Sequence, residues 1–161
     1  ASSLGLDSDN NIHVAGTNSQ NNLRHATSRT GSEEQVVNAA AGASVFVDRN
    51  NVVYVSFTYN GGLGLASYNT SWQVTQVGTT SDGYDAVAVD AASLIHIVYY
   101  DGTNRDLKYA TNYSGTWTTM ILDSTGDVGN YCDIAIDSND RLHISYYDAT
   151  NRQLKYATTA D

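Results

Sequence analysis

Residues 95–111 read "IHIVYYDGTNRDLKYAT" and residues 142–158 read "LHISYYDATNRQLKYAT", two near-identical spellings of one phrase in a chain of 161 residues. Each spelling sets a short run of β-branched and aromatic residues, then a loop of the type D-x-T-N-R, then a second run ending in L-K-Y-A-T. Runs of this length, punctuated by Asp, Asn and Gly, predict strands joined by tight hairpins. The same grammar is present in weaker form at 6–27, "LDSDNNIHVAGTNSQNNLRHAT", and at 47–68, "VDRNNVVYVSFTYNGGLGLASY". Anchored on Asp7, Asp48, Asp90 and Asp137, the steps are 41, 42 and 47 residues, a period in the range of β-propeller blades.

Within a unit the strands follow in a fixed order. "AVAVD" (86–90) and "DIAID" (133–137) predict a first strand, "IHIVYY" and "LHISYY" a second, "DLKYAT" and "QLKYAT" a third, "SWQVTQV" (71–77) and "TWTTMIL" (116–122) a fourth. Leu142, Ile144 and Tyr146 point to one face, and His143, Ser145 and Tyr147 to the other. No stretch carries helical periodicity over three turns, and the chain has no proline. The expected fold is therefore all-β: a propeller-type array of four-stranded antiparallel blades in one domain, with units at 1–42, 43–84, 85–131 and 132–161. A two-layer sandwich does not require a four-fold internal repeat. The last unit ends after its third strand, so its blade is expected to lack the outer strand. The edge at 153–158 is then a template on which another chain can add a strand.

Composition narrows the partner classes. A formal charge of −9 is opposite to what phosphate neutralisation needs, so nucleic acid is not an expected partner. No apolar run reaches the length of a membrane span. A single cysteine, Cys132, excludes an intramolecular disulfide framework and reads as a buried, inert thiol.

The pattern D-S-N-x-x-L-H-I-S-Y-Y-D-x-T-N-x-x-L-K-Y-A-T, followed by G-x-W, resembles the repeats of secreted bacterial β-propellers, loosely related to sialidase-like and lectin-like propeller repeats. The likeness is strong over 85–158, while the first two units share the anchor aspartate, the strand-two aromatic or histidine and the L-x-x-A of strand three. The resemblance implies a propeller fold and a secreted or cell-surface bacterial setting. Propellers of this kind act as lectins, adhesins, docking platforms and enzymes, so it implies no single activity.

The histidines follow the repeat. His13, His96 and His143 hold one position, which is Tyr54 in the second unit, and His25 aligns with Tyr109 and Tyr156. A residue repeated once per blade is expected to serve packing and hydrogen bonding. The competing reading is a His/Tyr acid–base pair of a polysaccharide-degrading enzyme. Asp7, Asp9 and Asn11 alternate as calcium ligands can, but the pattern also describes a turn in which Asp and Asn bond their own backbone. Trp72 and Trp117 open the fourth strands and are expected to pack at blade edges with the indole N–H near water.

The best candidate surface site is the loop repeated in the last two units: Tyr100, Asp101, Asn104 and Arg105 with Tyr147, Asp148, Asn151 and Arg152, near Asp127 and Asn130. Aromatic faces beside carboxylate, amide and guanidinium groups suit a sugar, which offers apolar C–H faces and paired hydroxyls. With no unique acid, base or nucleophile constellation and no phosphate-loop or zinc spacing, the expectation is a non-enzymatic binding module without a cofactor. It would recognise a glycan or a protein through its loop rim. The alternatives are a subunit of a surface assembly or homo-oligomer, completed by a strand from a partner chain, and a polysaccharide-degrading enzyme.

Overall fold

The computed structural model describes residues 2–38 and 40–159. They form fifteen antiparallel strands in four sheets. The first sheet holds β1 (Ser2–Leu6), β2 (Ile12–Thr17), β3 (Leu23–Thr27) and β4 (Glu33–Val37), and the second β5 (Ala40–Val47), β6 (Val53–Tyr59), β7 (Gly62–Tyr68) and β8 (Trp72–Gln76). The third holds β9 (Asp85–Val89), β10 (Ile95–Asp101), β11 (Asp106–Thr111) and β12 (Thr118–Asp123); the fourth holds β13 (Val128–Ile136), β14 (Leu142–Asp148) and β15 (Gln153–Thr158). Each sheet is a meander in sequence order, and the four are the blades of a β-propeller array. The fourth blade has three strands among the described residues, with β15 at its edge.

The repeated aspartate closes the turn between the first two strands. Asp7 Oδ1 accepts the backbone N–H groups of Asp9 at 3.0 Å and Asn11 at 2.7 Å, and Asp48, Asp90 and Asp137 make the same pair of bonds two and four residues on. The residue three after each, Asn10, Asn51, Ser93 or Asp140, takes a positive φ. This is an Asx turn, in which a short side chain stands in for a backbone acceptor.

Packing between blades is built on one leucine per junction. Leu23, Leu63 and Leu107 occupy the same place in the third strand and are fully buried. Each lies in an apolar cluster that joins its own blade to the next: Ala15 and Leu23 with Val45, Val53 and Val55; Leu63 and Leu65 with Val87, Ile95 and Ile97; Val98 and Leu107 with Ile134, Leu142 and Ile144. Truncating such a leucine costs about 2–5 kcal/mol. The blades thus stack in sequence order, and among the described residues no strand of the fourth makes an extensive contact with the first.

Two first strands start earlier than the alternation predicts. β13 begins at Val128, and its register shifts on both sides of Asn130; β5 begins at Ala40, with a shift between Ala41 and Ser44. Bulges lengthen a strand without keeping the strict period of two, so the pattern reading finds only the regular part. Gly129, at φ 108°, lets this segment lie against blade three, since a Cβ there would come within 2.8 Å of Leu107 Cα.

One half-buried acid with a buried carboxylate oxygen costs the stack stability. Ser56 Oγ donates to Asp85 Oδ1 across the blade two–three junction, while Asp85 Oδ2 is buried with no hydrogen-bond partner. Burial pushes the carboxyl up to about 6, and the Ser56 bond only partly opposes this. The fold then holds a proton that the unfolded chain releases near its ordinary value of 3.8, so stability falls as pH rises from about 4 to about 6. Asp85→Asn is expected to raise stability by about 1–3 kcal/mol at pH 7.5 and by much less at pH 4. Urea midpoints at the two pH values check this, and an equal effect at both would contradict it.

Candidate functional site

The loops after the second strand and between blades gather on one rim. Asp82 N donates to Tyr100 O at 3.2 Å, Val128 N to Arg105 O at 3.0 Å, Ala149 N to Asp127 O at 2.8 Å and Asp127 N to Thr150 Oγ1 at 2.8 Å. The segment between blades three and four is thus tied to the hairpins of both. Tyr100 donates its hydroxyl to Asp127 Oδ1 at 2.9 Å, and Asn130 Nδ2 donates to the same oxygen at 3.1 Å.

Within the repeated loop the roles divide. Asp101 and Asp148 are buried and accept bonds from Asn104 Nδ2 at 2.8 Å and Asn151 Nδ2 at 2.9 Å, so each Asp/Asn pair closes its own hairpin. Burial works to raise Asp101, but Lys108 at 2.5 Å and the Asn104 contacts hold it well below the usual carboxylate range. Asn151 likewise lowers Asp148. Arg105 and Arg152 stand exposed at φ 64° and 55°. Tyr100 is buried and Tyr147 half-buried.

Between the two tyrosines lies a feature that the repeat pattern does not single out. Tyr84 and Tyr131 stand six residues before the anchors Asp90 and Asp137, at the entry to the first strands. Ring centroids run Tyr100–Tyr84 at 6.2 Å, Tyr84–Tyr131 at 4.6 Å and Tyr131–Tyr147 at 6.4 Å, a continuous row across two blades. Tyr131 sits in the β13 bulge at φ 54° and is 68% exposed. A bulge re-aims a side chain, and this one delivers an aromatic ring to the surface beside Asp127 and Asn130. A hydrogen bond with Tyr131, then burial, raises the Tyr84 hydroxyl, so it is neutral at ordinary pH.

The histidines lie towards the opposite rim. His96 Nδ1 is 2.6 Å from the Tyr109 hydroxyl and its Nε2 3.3 Å from Asp90 Oδ2; His143 repeats this with Tyr156 at 2.5 Å and Asp137 at 3.3 Å. Blade one departs from the pattern. There His13 Nδ1 meets His25 Nε2 at 3.1 Å, His13 Nε2 lies 3.4 Å from Asp7 Oδ2, and His25 Nδ1 lies 3.1 Å from Glu34 Oε1. Asp7, His13, His25 and Glu34 line a cleft of about 570 Å³ between blades one and two, with Arg29, Asn50 and Tyr68. Trp72 packs edge-on to His25 at 5.2 Å, and its Nε1 is buried without a partner rather than near water. Asp7 Oδ2 also accepts from Asn11 Nδ2 at 2.8 Å, and these bonds, Asn11 foremost, lower Asp7 to about 2. Among the described residues no group of three or more His, Cys, Asp or Glu is placed to hold a metal ion.

No family model matches the chain, and no curated protein matches it. Solved structures do. A triple arginine-to-alanine mutant of AofleA from Arthrobotrys oligospora superposes with a TM-score of 0.68 at 12% identity, covering 99% of this chain and 53% of that one. A Hadza microbial sialidase gives 0.64 at 13% identity, covering 97% and 36%. Aleuria aurantia lectin AAL, in complex with Fucα1-6GlcNAc, gives 0.54 at 13% identity, covering 99% and 60%. The chain therefore shares its fold with lectin and sialidase-like propellers, and spans about half or less of the length of the first two.

The His13–His25 chain generates a prediction. Its three links need three hydrogens on four ring nitrogens, which is one imidazolium, yet desolvation, only partly opposed by Glu34, lowers His25. A group held neutral in the fold costs stability as pH falls below its unfolded value of 6.5. His25→Tyr restores the hydroxyl that Tyr109 and Tyr156 supply and is expected to flatten this loss. Thermal midpoints at pH 7.5 and 5.5 should separate less in the variant than in the parent. Parallel shifts would remove histidine as the cause.

Proposed function

We propose that the protein is a non-enzymatic, extracellular carbohydrate-binding propeller, and that a glycan lies along the row Tyr100–Tyr84–Tyr131–Tyr147. The observation that carries this is Tyr131, a large aromatic ring held at the surface by a bulge at positive φ and 68% exposed. A sugar's C–H face packs on such a ring, while Asp127 and Asn130 beside it accept and donate to hydroxyls, and the exposed Arg105 and Arg152 add donors at the margin. One of the solved structures that share the fold supports the same class, a lectin seen with a fucosyl disaccharide. The repeated Asp–His–Tyr bonds of blades three and four supply a structural reason for His96 and His143, which is why binding is favoured over hydrolysis.

Screening against a glycan panel, followed by calorimetry on the best sugar, tests the proposal. Tyr131→Ala is expected to weaken that sugar roughly tenfold or more, about 1.4 kcal/mol, with an unchanged circular dichroism spectrum. Silence across the panel at millimolar sugar, or full affinity in the variant, would overturn it.

A further inference from the structure

Each interior blade covers both faces of its sheet, and the repeat shows which positions do so. Leu4, Leu6, Ile12 and Val14 form the face of blade one that points away from blade two, because their neighbours Ser3 and Ala15 point towards it. The equivalents of Leu4 are Val45, Val87 and Ile134, those of Ile12 are Val53, Ile95 and Leu142, and those of Val14 are Val55, Ile97 and Ile144; all nine are buried against the preceding blade. In blade one the four residues are 66%, 55%, 44% and 40% exposed.

The far end is the complementary half. Leu154 is the fourth member of the series Leu23, Leu63 and Leu107, which are 0% exposed, yet it is 81% exposed, and Tyr156 beside it is 61% exposed where its counterpart His25 is 4%. One chain thus carries both halves of an interface that it builds three times within itself.

We infer that these faces associate head to tail between copies of this chain, Leu154 and Tyr156 of one copy packing on Leu4, Leu6, Ile12 and Val14 of the next. The occupant is a second copy because the equivalent face of each of the first three blades packs on the leading face of the blade after it, and the leading face of blade one is exposed. The contact is heterologous: it closes into a ring where the blade rotation permits and extends otherwise. It is independent of the glycan proposal, since the tyrosine row lies on a loop rim and these faces are flat sides of sheets.

Light scattering and native mass spectrometry of the 161-residue chain at tens of micromolar test this, with Leu4→Asp and Leu154→Asp as variants. Both positions are solvent-exposed within one copy, so the fold tolerates a carboxylate there, and circular dichroism verifies it. The parent is expected to exceed the 17.3 kDa of one chain, and each variant alone to be monomeric. Mixing the two variants is expected to recover a dimer that grows no further, because one intact half remains on each. A monomeric parent, association that survives both substitutions, or a mixture that stays monomeric would each overturn the inference.

Discussion

Apolar packing of each sheet against the next sets the rest of the structure. The evidence is internal. In β10 all seven residues of "IHIVYYD" are buried, whereas in β14 the closely similar "LHISYYD" alternates between buried and half-exposed. Nothing in the local sequence explains the difference; a neighbouring sheet on one side does. Hydrophobic burial here is a property of the junction between blades, and the junction exists because a leucine in the third strand meets three aliphatic residues of the following sheet.

Repetition also sorts the polar residues. Where a group recurs at the same bond from blade to blade, its geometry is accounted for by the blade itself: the anchor aspartate closes a turn in all four, and in blades three and four the histidine bridges that aspartate and a tyrosine. Departures from the repeat are more informative. His25 replaces the tyrosine and bonds Glu34, and a polar cleft lies here where blades three and four have a closed histidine–tyrosine pair. Tyr131 occupies the place of Tyr84, but the bulge around it turns its ring to solvent.

The architecture was legible because blade packing writes itself into period-two runs and a recurrent L-K-Y-A-T. That the last blade has three strands among the described residues is legible for the same reason. The site was legible only in outline. The loop D-x-T-N-R bonds to the segment of Asp127 and Asn130 through its backbone, but a carboxylate that closes its own hairpin and one that faces a ligand look alike in a sequence, and Asp101 and Asp148 close their hairpins. Tyr131 escaped because its exposure depends on a register shift, which leaves no periodic trace. The early start of β13 leaves no periodic trace for the same reason.

The close identity of the hairpins β10–β11 and β14–β15 has a consequence for how the chain reaches this state. During folding, β15 carries almost the same edge as β11, so it matches β10 nearly as well as its own partner β14. Two adjacent blades with interchangeable hairpins give the landscape a competing arrangement close in energy to the native one, the condition for exchange and trapping in repeat proteins. What breaks the degeneracy lies outside the shared phrase: Asp85 against Cys132 in the first strands, and the bulge present in β13 and absent from β9. Those few mismatched residues serve as the labels by which each hairpin finds its own blade.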